Sequence, residues 1–458
     1  MSHFPCPLAP FEQLMWIDDH ADYPMAFPIV GEATGDVDRT SAQAALEAVC
    51  ERHPLFRARV AELNGRPHWV EPPAGASGTN AIEYREGRTI AQRGFDLRVE
   101  SGVRVEFWRD ADRWRMVWHF HHCCCDGIGA AAAIGEWLLI YDALVHGRDW
   151  RAQVAALDNQ AFAQRARLRT RRASPPEKVP FWRRMRGVWS HMGQALRVVR
   201  TKPAELSATG DAATPGRLGA SSELSPKAVL RVRHWDAEQL AALRRGVEAC
   251  GATLNDFLIA ALMMAARDWN TCHSNGRETR PIRVMMPTNQ RVGEDRDLSA
   301  ANVVSYAMLD RAVHTAFIPS ELLASVRRET AAIARHNLSR RFLVSLGLAA
   351  RWPWLMRRTM GRRGSWATAV LSNLGDVSRR TRKSYRLDGD CVVAGGLRLE
   401  ALYGAPPLRP GTRAGLGVSI FRQRLTVAAI MDPYHFSDAD QERFLDQFQE
   451  ALAELVRA

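Results

Sequence analysis

At 458 residues the chain is longer than one hydrophobic core usually organises, so two domains are the expectation. Hydrophobic residues make up 46% and charged residues 24%, a balance that excludes long disordered or fibrous chains. The formal net charge of +12 is carried almost wholly by arginine, with lysine only at Lys178, Lys202, Lys227 and Lys383, and favours anionic partners: phosphorylated cofactors, acidic carrier proteins or anionic lipid surfaces.

In chain order, Asp38 is positioned to cap a helix whose apolar residues Ala42, Ala45, Leu46, Val49 and Cys50 form one stripe. Val103, Val105 and Phe107 alternate with Arg104 and Glu106 as a half-buried strand does. After a turn at 110–112 a second strand runs from Trp114 to His122, and the two are predicted to form a hairpin. Strand alternation puts Trp114, Met116, Trp118, Phe120 and His122 on one face, with Val117, His119 and His121 on the other. Only one of the adjacent histidines then serves a given site. Gly127 to Val145 is the most apolar segment, and with Glu136 and Asp142 inside it reads as a buried helix, not a membrane span.

Composition shifts between about 165 and 227: arginines cluster, Pro175-Pro176 follows, and 207–222 is rich in small residues. This predicts an N-terminal domain over 1–175, a basic connection over 176–227 and a C-terminal domain over 228–458. Within the connection, Trp182, Met185, Trp189, Met192, Leu196 and Val199 form a stripe flanked by arginines. It is a candidate peripheral membrane contact, the alternative being packing against the protein's own domains. Thr253-Leu254-Asn255-Asp256 opens an apolar helix with capping-box character, extended segments are expected near 282–286, 301–309, 367–371 and 416–430, and a last helix starts at Ser437.

Eight cysteines in a chain this long do not make a disulfide framework, and Cys123, Cys124 and Cys125 are consecutive. Residues 1–10 lack a basic region followed by an apolar run, so no signal peptide is expected and a reducing cytoplasm is the simplest compartment. Consecutive cysteines cannot all converge on one tetrahedral ion, and no metal site is expected. A histidine ending a strand against aromatic side chains can instead keep a neutral imidazole ready to take a proton. The plainer alternative is a strand end satisfying local hydrogen bonds.

His121-His122-Cys123-Cys124-Cys125-Asp126-Gly127 resembles the His-His-x-x-x-Asp-Gly signature of the chloramphenicol-acetyltransferase-like acyltransferases. That superfamily includes nonribosomal-peptide condensation domains, wax-ester synthase/diacylglycerol acyltransferases, and polyketide-associated and alcohol acyltransferases. The opening Pro7 to Trp16, the stretch Arg52 to Arg59 and Phe95-Asp96-Leu97 look like further family segments. So do Ala252 to Asp256, Pro287 to Arg291, Ala301 to Val304 and Ser372-Asn373-Leu374-Gly375, in the family's order.

The resemblance implies an α/β fold, two α+β sandwiches forming a V-shaped pseudo-dimer around a tunnel, with the histidine motif in its middle. It implies that His122 is the general base, that His121, Asp126 and Gly127 shape the motif, and that Asp126 pairs with Arg57 or Arg52. Ser372, Asn373 and Asn255 are the implied substrate or oxyanion contacts. No cofactor is expected to be held permanently: the donor would be acyl-coenzyme A or an acyl chain on a phosphopantetheinyl carrier protein. A small-molecule or lipid acceptor would enter from the other side, and a monomer is expected. The family's peptide-forming blocks are not found between Ala331 and Gly375, which favours a hydroxyl acceptor; a free-standing amide-forming condensation enzyme is the alternative, and a non-catalytic binding homologue a further one. The arginines match no nucleic-acid reader module.

Overall fold

The computed structural model describes residues 4–73, 80–87, 94–158, 162–163, 165, 201–209, 228–274, 279–295, 297–312, 318–352, 354, 356–357, 365–378, 385–389 and 391–457. The N-terminal half runs β1 (Cys6–Pro7), α1 (Pro10–Asp18), β2 (Ala26–Gly35), α2 (Arg39–Arg52), β3 (Arg59–Leu63), β4 (Arg66–Val70), β5 (Ile82–Glu86), β6 (Val103–Asp110), β7 (Arg113–His121) and α3 (Gly127–Val145). The C-terminal half runs β8 (Arg231–Trp235), α4 (Ala237–Ala249), α5 (Leu254–His273), β9 (Ile282–Asn289), β10 (Val304–Arg311), α6 (Pro319–His336), α7 (Arg340–Ala349), β11 (Ala369–Asp376), β12 (Arg386–Asp388), β13 (Cys391–Ala394), β14 (Leu397–Gly404), β15 (Ala414–Phe421), β16 (Arg424–Met431) and α8 (Asp438–Arg457).

The predicted hairpin is β6–β7, antiparallel from Val103 opposite Phe120 to Asp110 opposite Arg113. Trp118 and Phe120 on β7 pack with Phe107 and with Trp137 of α3, all four fully buried. That burial explains α3. Its length and composition would suit a membrane span, yet its apolar residues Ile134, Trp137, Leu138 and Tyr141 are spent on the sheet. Asp38 caps α2 as expected, accepting from the Thr40 amide at 3.2 Å. Thr253 and Asp256 close a reciprocal capping box at the start of α5, with Thr253 N 2.8 Å from Asp256 Oδ2 and Asp256 N 3.2 Å from Thr253 Oγ1.

The sheets do not respect a clean division of the chain at 228. The seven-stranded sheet has the order β12-β13-β14-β2-β7-β6-β5, so three C-terminal strands complete the N-terminal sheet. The six-stranded sheet, β10-β9-β11-β15-β16-β8, is built wholly from the C-terminal half. Chain order alone misses this crossing because β14 pairs antiparallel with β2, more than 350 residues earlier in sequence, and both strands bury apolar residues there. Where the sheets meet, a Cβ on Gly417 would lie 1.8 Å from the Gly404 carbonyl oxygen, and one on Gly404 would lie 2.3 Å from that of Pro28. Only glycine permits that approach of backbones. A buried ion pair fastens the same region: Arg409 donates to both oxygens of Asp18, at 2.7 and 2.8 Å. The stripe from Trp182 to Val199 lies outside the described residues.

Candidate active site

The motif follows directly from the end of β7. Pairing with β2 ends at His121 opposite Ala26, and the His122 amide extends it by donating to the Met25 carbonyl at 2.6 Å. The chain then turns tightly, Cys124 N bonding to His121 O at 2.9 Å, and Asp126 caps α3 by accepting from Gly129 N at 2.8 Å.

The two histidines part at this turn. His121 is fully buried; its Nδ1 accepts from the Cys123 amide at 3.0 Å and its Nε2 lies 3.4 Å from Asp19. His122 sits between aromatic rings, its centroid 5.1 Å from that of Phe27 and 6.3 Å from that of Phe11, and lines a cavity. Its Nδ1 is 3.1 Å from Asn302 Oδ1. The Asn302 amide nitrogen donates to the carbonyls of His122 and Cys123, so its Oδ1 must be the atom facing the ring. Nδ1 therefore carries the proton and Nε2 is the bare nitrogen. Burial lowers the His122 pKa below its ordinary value despite the backbone contact and nearby Asp126, keeping the ring neutral at pH 7.

Asp126 is buried and fully engaged. Its second oxygen accepts from Arg291 Nη1 and from Val303 N, each at 2.8 Å. Burial would raise its pKa, but Arg291 and the backbone donors outweigh that and hold the carboxyl below its usual range. Arg291 also donates to the Ala301 carbonyl at 3.0 Å, so one guanidinium ties the motif turn to the 300–303 segment. This corrects the expected pairing with Arg57 or Arg52. Arg57 is exposed, whereas Arg52 donates to Glu136 at 2.8 Å and to the Ala155 carbonyl at 2.6 Å. Asp126 faces the C-terminal half, out of reach of the helix that carries Arg52. Gly127 opens α3 against Leu374, whose Cδ2 would be 2.7 Å from a Cβ there.

Of the candidate contacts, Ser372 and Asn373 reach the cavity wall with His122, Asp126 and Gly127. Asn255 stands behind them, its Oδ1 accepting weakly from Asn373 Nδ2 at 3.4 Å while its own amide approaches Met286 Sδ. The cavity, of about 1100 Å³ with its open mouth, is also lined by Tyr306, Trp366, Arg409 and the glycines at the sheet junction. A second cavity, of about 1220 Å³ with its open mouth included, is lined by Phe11, Asn302 and Val304, near His122, and by α7. Val304 lines both hollows, and His122 itself lines the first. The three motif cysteines are buried and their thiol pKa values are pushed up by burial, so they stay protonated packing groups.

Reasoning from sequence missed the roles of Asn302 and Arg291, although the signal was present. Both lie in segments singled out as family-like, Ala301 to Val304 and Pro287 to Arg291.

Solved structures with this fold cover nearly the whole chain. The first condensation domain of the calcium-dependent antibiotic synthetase, in complex with a substrate analogue, superposes with a TM-score of 0.67 at 18% identity, over 99% of this chain and 97% of the other. The starter condensation domain of rhizomide synthetase, in complex with C8-CoA and Leu-SNAC, gives 0.64 at 14% identity, over 100% and 97%. Polyketide synthase associated protein 5 from Mycobacterium tuberculosis gives 0.60 at 16% identity, over 98% of each chain. The fold is therefore the V-shaped pair of chloramphenicol-acetyltransferase-like halves. Residues 17–274, more than half of the chain, match the condensation-domain family, and the protein belongs to that family of transferases. Over 113 residues, 23% of the chain, it is 31% identical to tyrocidine synthase 3 of Brevibacillus parabrevis, a protein of which this chain covers 2%.

Proposed function

We propose that this protein transfers an acyl group from a thioester, on coenzyme A or a carrier-protein phosphopantetheine, to a hydroxyl acceptor, with His122 as general base. The observation that carries the reading is the imidazole: Asn302 holds Nδ1–H, burial keeps the ring neutral, and Nε2 makes no hydrogen bond among the described residues beside a cavity. In the step proposed, Nε2 takes the acceptor proton as its oxygen attacks the thioester carbonyl. The tetrahedral intermediate then collapses, the carbon–sulfur bond breaks, and the imidazolium returns a proton to the leaving thiolate. Ser372 is the candidate donor to the oxyanion, since its hydroxyl lines the same cavity and makes no hydrogen bond among the described residues.

A second reading has its own support. Membership of the condensation-domain family, and the stretch shared with tyrocidine synthase 3, favour an amine acceptor and an amide product. The same base serves either nucleophile, so His122 does not discriminate between them. The deciding experiment offers the purified protein a panel of acyl-coenzyme A and carrier-bound acyl donors, each with alcohol and amine acceptors, and identifies products by mass spectrometry. Esters are expected; amides from carrier-bound aminoacyl donors, with no esters, would replace the first reading by the second.

A further inference from the structure

The second cavity opens beside an unusual surface. Helix α7 and the turn after it expose Val344 at 43%, Leu348 at 51%, Trp352 at 51% and Trp354 at 66%. Val344 and Leu348 lie one helical turn apart on one face, and the exposed Trp352 and Trp354 follow within five residues of the helix end. Monomeric proteins seldom leave a contiguous patch of this kind uncovered. Arg340 and Arg351 stand at its margin and line the cavity, and neither makes an ion pair among the described residues. Arg357, nearby in sequence, is paired with Glu62. The charge of the segment is one-sided: from Thr330 to Gly375 there is no Asp or Glu, while arginine stands at 335, 340, 341, 351, 357, 358, 362 and 363.

We propose that this face is a docking surface for an anionic lipid bilayer, with Trp352 and Trp354 at the headgroup level and the second cavity opening at the membrane. Tryptophan is favoured at that level because its ring is apolar and its N–H still reaches a polar partner. Arginines beside an apolar stripe supply the attraction to anionic headgroups. An acidic protein is the competing occupant, since interfaces between proteins also bury tryptophan beside arginine, and the experiment below separates the two. The consequence for substrate rests on the acyl-transfer reading: Val344 and Leu348 line the cavity whose inner wall is Phe11 and Asn302, beside His122. A lipid-borne substrate would thus pass from the bilayer into the cavity whose inner wall, Phe11 and Asn302, adjoins the base.

The test is co-sedimentation of the full chain with vesicles of phosphatidylcholine alone and of an equal mixture with phosphatidylglycerol. Binding is expected to the mixed vesicles, weakening with salt, and to fall about fivefold for each of Arg340→Ala and Arg351→Ala. Trp352→Ala combined with Trp354→Ala should abolish most of it. These side chains are exposed or at the margin, so circular dichroism should show the variants folded. His122→Ala should bind vesicles like the unaltered protein, which separates failure of this proposal from failure of the catalytic one. The idea is overturned if the chain ignores mixed vesicles, or binds them equally well without the two tryptophans, which would move the contact to the Trp182 to Val199 stripe. It is also overturned if those tryptophans prove necessary for binding an acidic carrier protein and not for vesicles.

Discussion

Two segments border the cavity, and they are held very differently. The turn from His121 to Gly129 is tied down by several hydrogen bonds: His121 by Cys123, His122 by Met25 and Asn302, and Asp126 by Gly129, Val303 and Arg291. The opposing stretch of β11, Ser372 to Gly375, is paired with β15 through its backbone, but its side chains are sparsely bonded. Asn373 accepts from Gly375 N at 2.8 Å and reaches Asn255 only at 3.4 Å, the register with β15 slips between Asn373 and Gly375, and the Ser372 hydroxyl is uncommitted among the described residues. A proton acceptor must hold one tautomer at one place, because proton transfer demands hydrogen-bond distance. A wall that meets substrates of varying shape gains from compliance. On the proposed acyl-transfer reading, chemistry is fixed on the motif side and selectivity is assigned to β11.

The sharpest way to break this contrast lies at the histidines. His122→Ala is expected to lower kcat/KM by on the order of two to four powers of ten with the fold unchanged. His121 accepts from backbone inside the core, so His121→Ala should act first on thermal stability. Because the His122 pKa is lowered, the acid limb of kcat/KM should have its midpoint below about 6.5, the ordinary histidine value, and the profile should be flat from there through neutrality. Full activity in His122→Ala, or an acid limb centred well above neutrality, would remove the histidine from the chemistry.

Next in size is the clasp between halves. Asp126→Asn leaves the Arg291 cation without its counterion in a nearly buried setting, which typically costs about 3–5 kcal/mol. Activity and melting temperature should therefore fall together, and Arg291→Met should do the same. The carboxyl is held below its usual range, so its contribution is complete above about pH 4 and is lost as pH falls through the folded-state value. The unaltered protein should consequently lose its stability advantage over Asp126→Asn only in acid. An inactive Asp126→Asn protein with an unchanged melting curve would make the carboxylate a chemical participant.

How legible the molecule was in its sequence follows the same division. The β6–β7 hairpin, the capped helices and the histidine turn could be read because each is specified by residues close together: alternation, a cap, a turn. The strand β2 was not singled out, since Pro28 and the glycines at 31 and 35 interrupt its apolar pattern, and its status is decided by β7 and β14 on either side. The partner of Asp126 was misassigned for a related reason. Arg52 and Arg57 lie in a family-like segment of the same half, whereas Arg291 arrives from a turn 165 residues away. A sequence shows which charges exist; the crossing of the two halves decides which of them meet.

The smallest effect is expected on the β11 side, and it tests whether that side takes part in the reaction at all. Ser372 contributes a hydroxyl to the cavity wall near the motif turn, with Leu374 seated against Gly127. A fixed oxyanion donor typically contributes two to three powers of ten to kcat. A hydroxyl rotor on a strand with a slipped register is less well organised than a backbone amide, so Ser372→Ala should lower kcat only about tenfold. The loss should appear in kcat with KM nearly constant, because a bond made only to the developing oxyanion does not help ground-state binding. A rise in KM at constant kcat would instead make Ser372 a substrate-binding residue, and β11 purely a wall of selection. An unchanged kcat and KM would place the oxyanion contact elsewhere and leave this stretch of β11 without a chemical task.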